Sequence, residues 1–259
     1  RLNSGKDYLN PKIDLIVDDI IEQNQKKKLV IFLDKWLKNK INTILKSLID
    51  LKDLKDKNSS IKALAYQLYE SNGVIKRYQV SEYLKKLDQN ERKTLRDLGV
   101  KFGRYHVFLH RLIKPEAVSL RTLLWKNYNQ KYFNLKPPTF GLNFLEETKF
   151  KNKNFMLLCG FEKFENFFVR IDILERLFMQ IISKNSEKNK EIKMVPEMLN
   201  LLGCNKDNFK KLLKIMEYKI TEKNNEVYFR YFPKKDFKKP NKKIIKESPF
   251  GILKNLNLN

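Results

Sequence analysis

The chain has 259 residues, 42% of them hydrophobic, and a net charge of +24, from 54 Lys and Arg against 30 Asp and Glu. This is apolar material for one large domain or two to three small ones, and eight Gly leave too little turn punctuation for a large all-β fold or a nucleotide-binding α/β fold. The longest uncharged apolar stretch, near residues 155–161, is far shorter than the ~20 residues of a membrane span. No signal peptide is visible, and two cysteines, Cys159 and Cys204, fit a reducing cytoplasm rather than a disulfide framework. The first residue is Arg1, so a segment cut from a longer protein is expected. Only 10 of the 54 basic residues are Arg. Drift in an AT-rich genome favours Lys and Asn but also raises Glu, and here acid does not keep pace with base. The excess is expected of a chain that meets a polyanion, nucleic acid first, with a membrane surface, an acidic protein or composition drift as the other readings.

In chain order, residues 12–17 read as a short strand after Pro11, and Asp18 and Asp19 open a helical stretch. Leu33, Trp36, Leu37, Ile41, Ile44, Leu45, Leu48 and Leu51 recur every three to four positions. This spacing predicts one long amphipathic helix over 29–51, with Lys35, Lys38 and Lys46 on its other face, and a first segment of 1–56 closed by a charged break at 53–58. A second segment, 57–136, begins with a helix capped by Ser59 or Ser60. Ile61, Leu64, Ala65 and Leu68 lie on one face of it, and Asn72-Gly73 stops it. A short helix over 79–87 follows, then a third helix opened by a capping-box-like Asp88-Gln89-Asn90-Glu91 and ended by Gly99. A strand is expected over 100–109. Three short helices and a strand give the element order of a winged-helix or related helix-turn-helix unit. Pro115 opens a further helix with Leu120, Leu123, Leu124 and Tyr128 on its apolar face.

Residues 137–169 are expected to form a linker, irregular to 154 and then holding a short helical turn and a strand or hairpin. Residues 170–232 repeat the earlier pattern more clearly. A helix carries Leu174, Leu177, Phe178 and Ile181 inward, a loop spans 185–190, and Pro196 and Gly203 bracket a second helix. A third helix over 205–218 buries Phe209, Leu212, Leu213 and Met216. A hairpin then turns at Lys223-Asn224-Asn225, with Val227, Phe229 and Tyr231 alternating. The basic tail, 233–259, is too charged to fold alone and is expected to be disordered. The fold class expected is mainly α, with two winged-helix-like units.

No Gly-x-x-x-x-Gly-Lys or Gly-x-Gly-x-x-Gly sequence is present, so no nucleotide hydrolysis is expected of this segment and no catalytic residue is assigned. His106, His110, Cys159 and Cys204 match a zinc site in number but not in spacing, so no metal is expected. The positive features are two. Lys206, Lys210 and Lys214 share a helix face with Lys211 beside them, and Lys223 and Arg230 lie on the following hairpin. Such a helix can enter a groove while the hairpin touches the backbone; the competing reading is an ordinary solvated face. Lysine rather than arginine favours phosphate contact without sequence readout. In residues 101–111, bases and rings interleave as on a single-strand platform, with Lys101, Arg104 and Tyr105 as contacts. The preferred reading there is a buried strand, because Phe, Val and Leu dominate.

That stretch also carries a resemblance. Leu98-Gly99-Val100-Lys101-Phe102-Gly103-Arg104-Tyr105-His106-Val107-Phe108-Leu109, continuing through Leu112-Ile113-Lys114-Pro115 to Leu120-Arg121 and Leu123-Leu124-Trp125, is similar to the C-terminal region of bacterial superfamily-two helicases. These resemble the ATP-dependent RNA helicase of the mitochondrial degradosome. Ala65-Tyr66-Gln67-Leu68, Gly73-Val74, residues 169–177, Leu202-Gly203-Cys204 and Ser248-Pro249-Phe250 agree with it. Residues 98–125 and 169–177 are the specific parts. The resemblance implies a non-catalytic accessory region of a cytoplasmic hydrolase whose motor, with its ATP and Mg, lies upstream. It implies single-stranded RNA or DNA and the motor as partners, a nuclease as a further candidate, and no membrane. The chain departs from its relatives in having His110 where they often carry Pro, and Lys where they carry Arg. The alternative is a free-standing winged-helix DNA-binding regulator or replication initiator.

Overall fold

The computed structural model describes residues 1–16, 22–52, 54, 59–146, 152–184 and 191–232. The helix opening at Asp18 and Asp19, the side chain of Ser59, the loop 185–190 and the tail 233–259 lie outside the described residues. The described chain is mainly α-helical with small antiparallel sheets, and none of its described helices is long and apolar enough to cross a membrane.

Strands β1 (Leu2–Asn3) and β2 (Lys12–Ile13) pair as a short ribbon. The Ser4 hydroxyl donates to the Asn127 carbonyl at 3.1 Å, tying this ribbon to the middle of the chain. The predicted long helix is two helices, α1 (Gln23–Ile44) and α2 (Lys46–Lys52), broken at Leu45. The break turns the second piece so that Leu45, Ser47, Leu48 and Leu51 are all buried. Trp36, expected inward, is 52% exposed. Only the C-terminal half of α1 packs, through Leu37 and Ile41.

The first repeated unit holds α3 (Ser59–Glu70), β3 (Val74–Lys76), α4 (Ser81–Lys86), α5 (Gln89–Asp97), β4 (Val100–Phe102) and β5 (His106–Leu109), with sheet order β3-β5-β4. Asp88 caps α5 in a full capping box with Glu91. Arg92 joins α5 to α4, its guanidinium donating to the Leu84 carbonyl at 2.6 Å and the Leu87 carbonyl at 3.3 Å. The strand expected over 100–109 is a hairpin, because residues 103–105 turn between β4 and β5. Val107, Phe108 and Leu109 are all buried.

The last unit holds α8 (Ile171–Lys184), β9 (Ile192–Lys193), α9 (Pro196–Leu202), α10 (Lys206–Ile215), β10 (Tyr218–Lys223) and β11 (Glu226–Tyr231), with order β9-β11-β10. Helix α10 ends at Ile215 because Glu217 takes a left-handed φ of 64°. Between these units lies α6 (Pro115–Tyr128), then β6 (Phe144–Glu146), α7 (Lys153–Leu158), β7 (Phe161–Phe164) and β8 (Phe167–Arg170), with order β6-β8-β7. Residues 137–169 therefore hold the expected helical turn and hairpin, and β6, in the stretch expected to be irregular, joins that hairpin as a third strand. On α6, Leu123 and Tyr128 are exposed and the buried stripe runs through Ala117, Val118, Arg121 and Leu124.

The three units share one local device. The residue two after the last helix is left-handed: Gly99 at φ 93°, Gly160 at 87° and Glu217 at 64°. Its carbonyl accepts from the N–H just beyond the third strand: His110 at 3.4 Å, Ile171 at 2.9 Å and Phe232 at 2.8 Å. The next residue begins a strand: Val100, Phe161 and Tyr218. Leu95, Met156 and Leu213, each two residues before its helix ends, are all buried. The middle unit is thus a third copy, with one helix fewer among the described residues.

Candidate nucleic-acid interface and the junction behind it

Helix α10 is set by Asn205, whose side chain accepts the Asn208 N–H at 2.8 Å, and by Phe209, Leu212 and Leu213, which turn one face into the core. The opposite face carries Lys206, Lys211 and Lys214, all exposed. Lys210 is less free: its ammonium pairs with Glu222 on β10. Hydrogen bonding to Lys210, with Lys206 and Lys214 near by, holds the Glu222 carboxyl below the usual carboxylate range. The lysines therefore surround one acid. On the hairpin, Lys219 is exposed and opposite Arg230 in register. Lys223 pairs with Glu191 at 2.7 Å, and Lys193 pairs with Glu226. Among the described residues Lys206, Lys211, Lys214 and Lys219 enter no salt bridge, and their ammonium groups suit phosphates rather than base edges, with the Arg230 guanidinium across the hairpin from Lys219.

The second predicted patch divides. Lys101 is exposed. Arg104 is exposed and lies over the Tyr231 ring at 5.5 Å. Tyr105 points into the last unit, its ring edge-on to Phe178 at 4.9 Å and its hydroxyl buried. It is no surface stacking ring. The turn it belongs to wraps the carboxylate of Glu175 on α8. Glu175 accepts from the backbone N–H groups of Arg104, Tyr105 (2.9 Å) and His106 (2.7 Å), and lies 3.0 Å from His106 Nδ1. His106 Nε2 lies 3.3 Å from Glu162, and Glu162 pairs with Lys76 at 2.9 Å.

Burial opposes the charge on His106, but its hydrogen bonds to Glu162 and Glu175 outweigh this and raise its pKa above the usual imidazole value. Burial likewise works against the Glu162 charge, but His106 and Lys76 draw its pKa below the usual value. With His106 protonated, an imidazolium between two carboxylates, with one ammonium beside them, makes a charge-balanced chain across all three units. Beside it opens a cleft of about 630 Å³ walled by Trp125, Tyr132, Lys131 and Lys153.

Arg121 is fully buried on α6 and donates to the carbonyls of Asn72 (2.8 Å), Leu112 (2.7 Å) and Leu158 (2.8 Å), joining the first two units. Burial lowers its pKa to about 10, so it stays charged. His110 is exposed. Burial pushes the thiols of Cys159 and Cys204 up to about 12 and about 11. Among the described residues no group of three or more His, Cys, Asp or Glu could hold a metal ion.

Sequence reasoning missed Glu175, Glu162, Arg121 and Lys76. Arg121 alone left a signal, falling on the stripe of Ala117, Val118 and Leu124 at helical spacing. No family model, curated protein or solved structure matches the chain.

Proposed function

We propose that this chain engages a nucleic-acid strand through the basic face of its last unit, as the accessory region of an ATP-dependent helicase. The element order helix, strand, helix, helix, strand, strand, with the third strand central, is read as winged-helix. On that reading α10 is the groove or backbone helix and β10–β11 the wing. The observation that carries the proposal is the cluster of exposed lysines on α10 and β10, outnumbering the one acid, Glu222, that they surround, in a chain of net charge +24. The helicase setting rests on the resemblance in residues 98–125 and 169–177, two stretches that meet in the fold at His106 and Glu175. The motor, ATP and Mg belong to the parent protein, and this segment contributes binding and orientation in the cytoplasm.

The test is fluorescence anisotropy with a labelled single strand of about 20 nucleotides across a salt series. The logarithm of affinity should fall with that of salt at roughly 0.7 per phosphate contacted. A flat response refutes the proposal. A second reading, a free-standing regulator of duplex DNA, is favoured by the recurrence of the paired-helix-and-hairpin unit. Preference for a duplex over the same single strand at equal salt would favour it.

A further inference from the structure

The shared device at the end of each last helix puts the three units in register. Lys211, Lys214 and Lys219 of the last unit correspond to Lys93, Arg96 and Lys101 of the first, and to Asn154, Leu157 and Glu162 of the middle one. All six residues of the outer units are cations, and all six are exposed. The middle unit has none. Its Leu157 packs against a buried cluster, and its Glu162 is 4% exposed and spent on Lys76 and His106.

The geometry points to two equivalent strand-binding faces, one on α5 and β4 and one on α10 and β10, held by a middle unit that has given up its own. This rests on the proposed nucleic-acid function and extends it. The first face has supports of its own. Arg92 fixes α5 to α4 through two backbone carbonyls, so the helix is presented rigidly. The Arg96 guanidinium lies 5.8 Å from the centre of the Phe102 ring, which braces it at the edge of the hairpin. Lys93 and Lys101 are exposed and enter none of the salt bridges among the described residues. Sequence periodicity pointed only to α10, because the capping acids Asp88 and Glu91 dilute the charge of α5. Two faces on one chain bind one strand with an effective concentration that neither has alone. Three phosphates on each face give a single-strand salt slope of about −4 for the intact protein and about −2 for either face alone.

The experiment uses the full chain and labelled oligouridylate and oligothymidylate of about 20 nucleotides. Three triple variants are compared with the parent: Lys93→Glu/Arg96→Glu/Lys101→Glu, Lys211→Glu/Lys214→Glu/Lys219→Glu, and a control on α1, Lys27→Glu/Lys28→Glu/Lys35→Glu, which removes the same charge. Each face variant should lower affinity at least about tenfold at low salt and halve the slope, while the control keeps it near the parent value. If the first-unit variant binds like the parent and the last-unit variant does not, the second face is refuted and the proposed function stands. If neither changes binding, both fall. If the control weakens binding as much as the face variants, only net charge matters and the two-face inference is wrong. Should the first-unit Glu variant fail to melt like the parent, the corresponding triple Gln variant is read instead, and an unchanged slope there refutes the inference.

Discussion

Glu175→Ala tests the junction that holds the units together. Glu175 is 4% exposed, and its carboxylate accepts three backbone N–H groups and meets His106 Nδ1. Alanine removes every one of these acceptors at once. A buried donor left unsatisfied costs ~1–3 kcal/mol, and the turn can recover part of this by admitting water. Removing one partner of a buried charge network costs ~3–5 kcal/mol, which is the figure expected here. At ~2–4 °C per kcal/mol for a domain of this size, the melting midpoint should fall by ~6–20 °C. Thermal unfolding followed by circular dichroism reads it. Glu175→Gln should lie between, since its Oε1 still accepts while its amide faces a backbone N–H. A midpoint for Glu175→Ala within ~2 °C of the parent would refute the claim that this carboxylate carries the junction.

Gly103→Ala should destabilise the same place, since its Cβ would lie 2.4 Å from the Glu175 carboxyl carbon; a melting midpoint equal to the parent's would count against the clamp. Arg121→Met leaves three carbonyls without their donor and should cost ~3 kcal/mol or more in a denaturant titration; a neutral result would mean that water replaces the guanidinium. His106 has a raised pKa in the folded state. Its contribution is therefore full below the ordinary imidazole pKa and lost as pH rises through the raised one. The melting midpoint should drop as pH rises from the ordinary imidazole pKa through the raised one in the parent, and not in His106→Asn. Glu222→Gln removes the acid at the centre of the α10 lysines and should tighten strand binding roughly twofold to fivefold; weaker binding would place the contact elsewhere.

Much of the last unit was readable because each signal was local. Pro196, Gly203 and Asn205 mark helix ends, and Asn224-Asn225 marks a turn, where both residues adopt positive φ. The junction was unreadable for the opposite reason. Glu175 and His106 lie 69 positions apart, and a glutamate on a helix gives no local sign that its partner is a distant turn. Tyr105 was misplaced on the same account: bases and rings interleave around it in the sequence, but the ring is held by Phe178 of another unit. The break at Leu45 left no mark, since Ile41 and Ile44 before it and Leu48 and Leu51 after it keep the helical period running while the packing partner changes. The third unit was hidden by its short strands and by the replacement of its basic face with Asn154, Leu157 and Glu162.

The most direct test of the account is a lysine footprint of the full chain with and without a saturating single strand, reading the acylation rate of each lysine by mass spectrometry. Lys206, Lys211, Lys214 and Lys219 should be protected together with Lys93 and Lys101, while Lys27, Lys28 and Lys35 of α1 react at unchanged rates. Protection confined to the α1 lysines, or spread evenly over the surface, would contradict it.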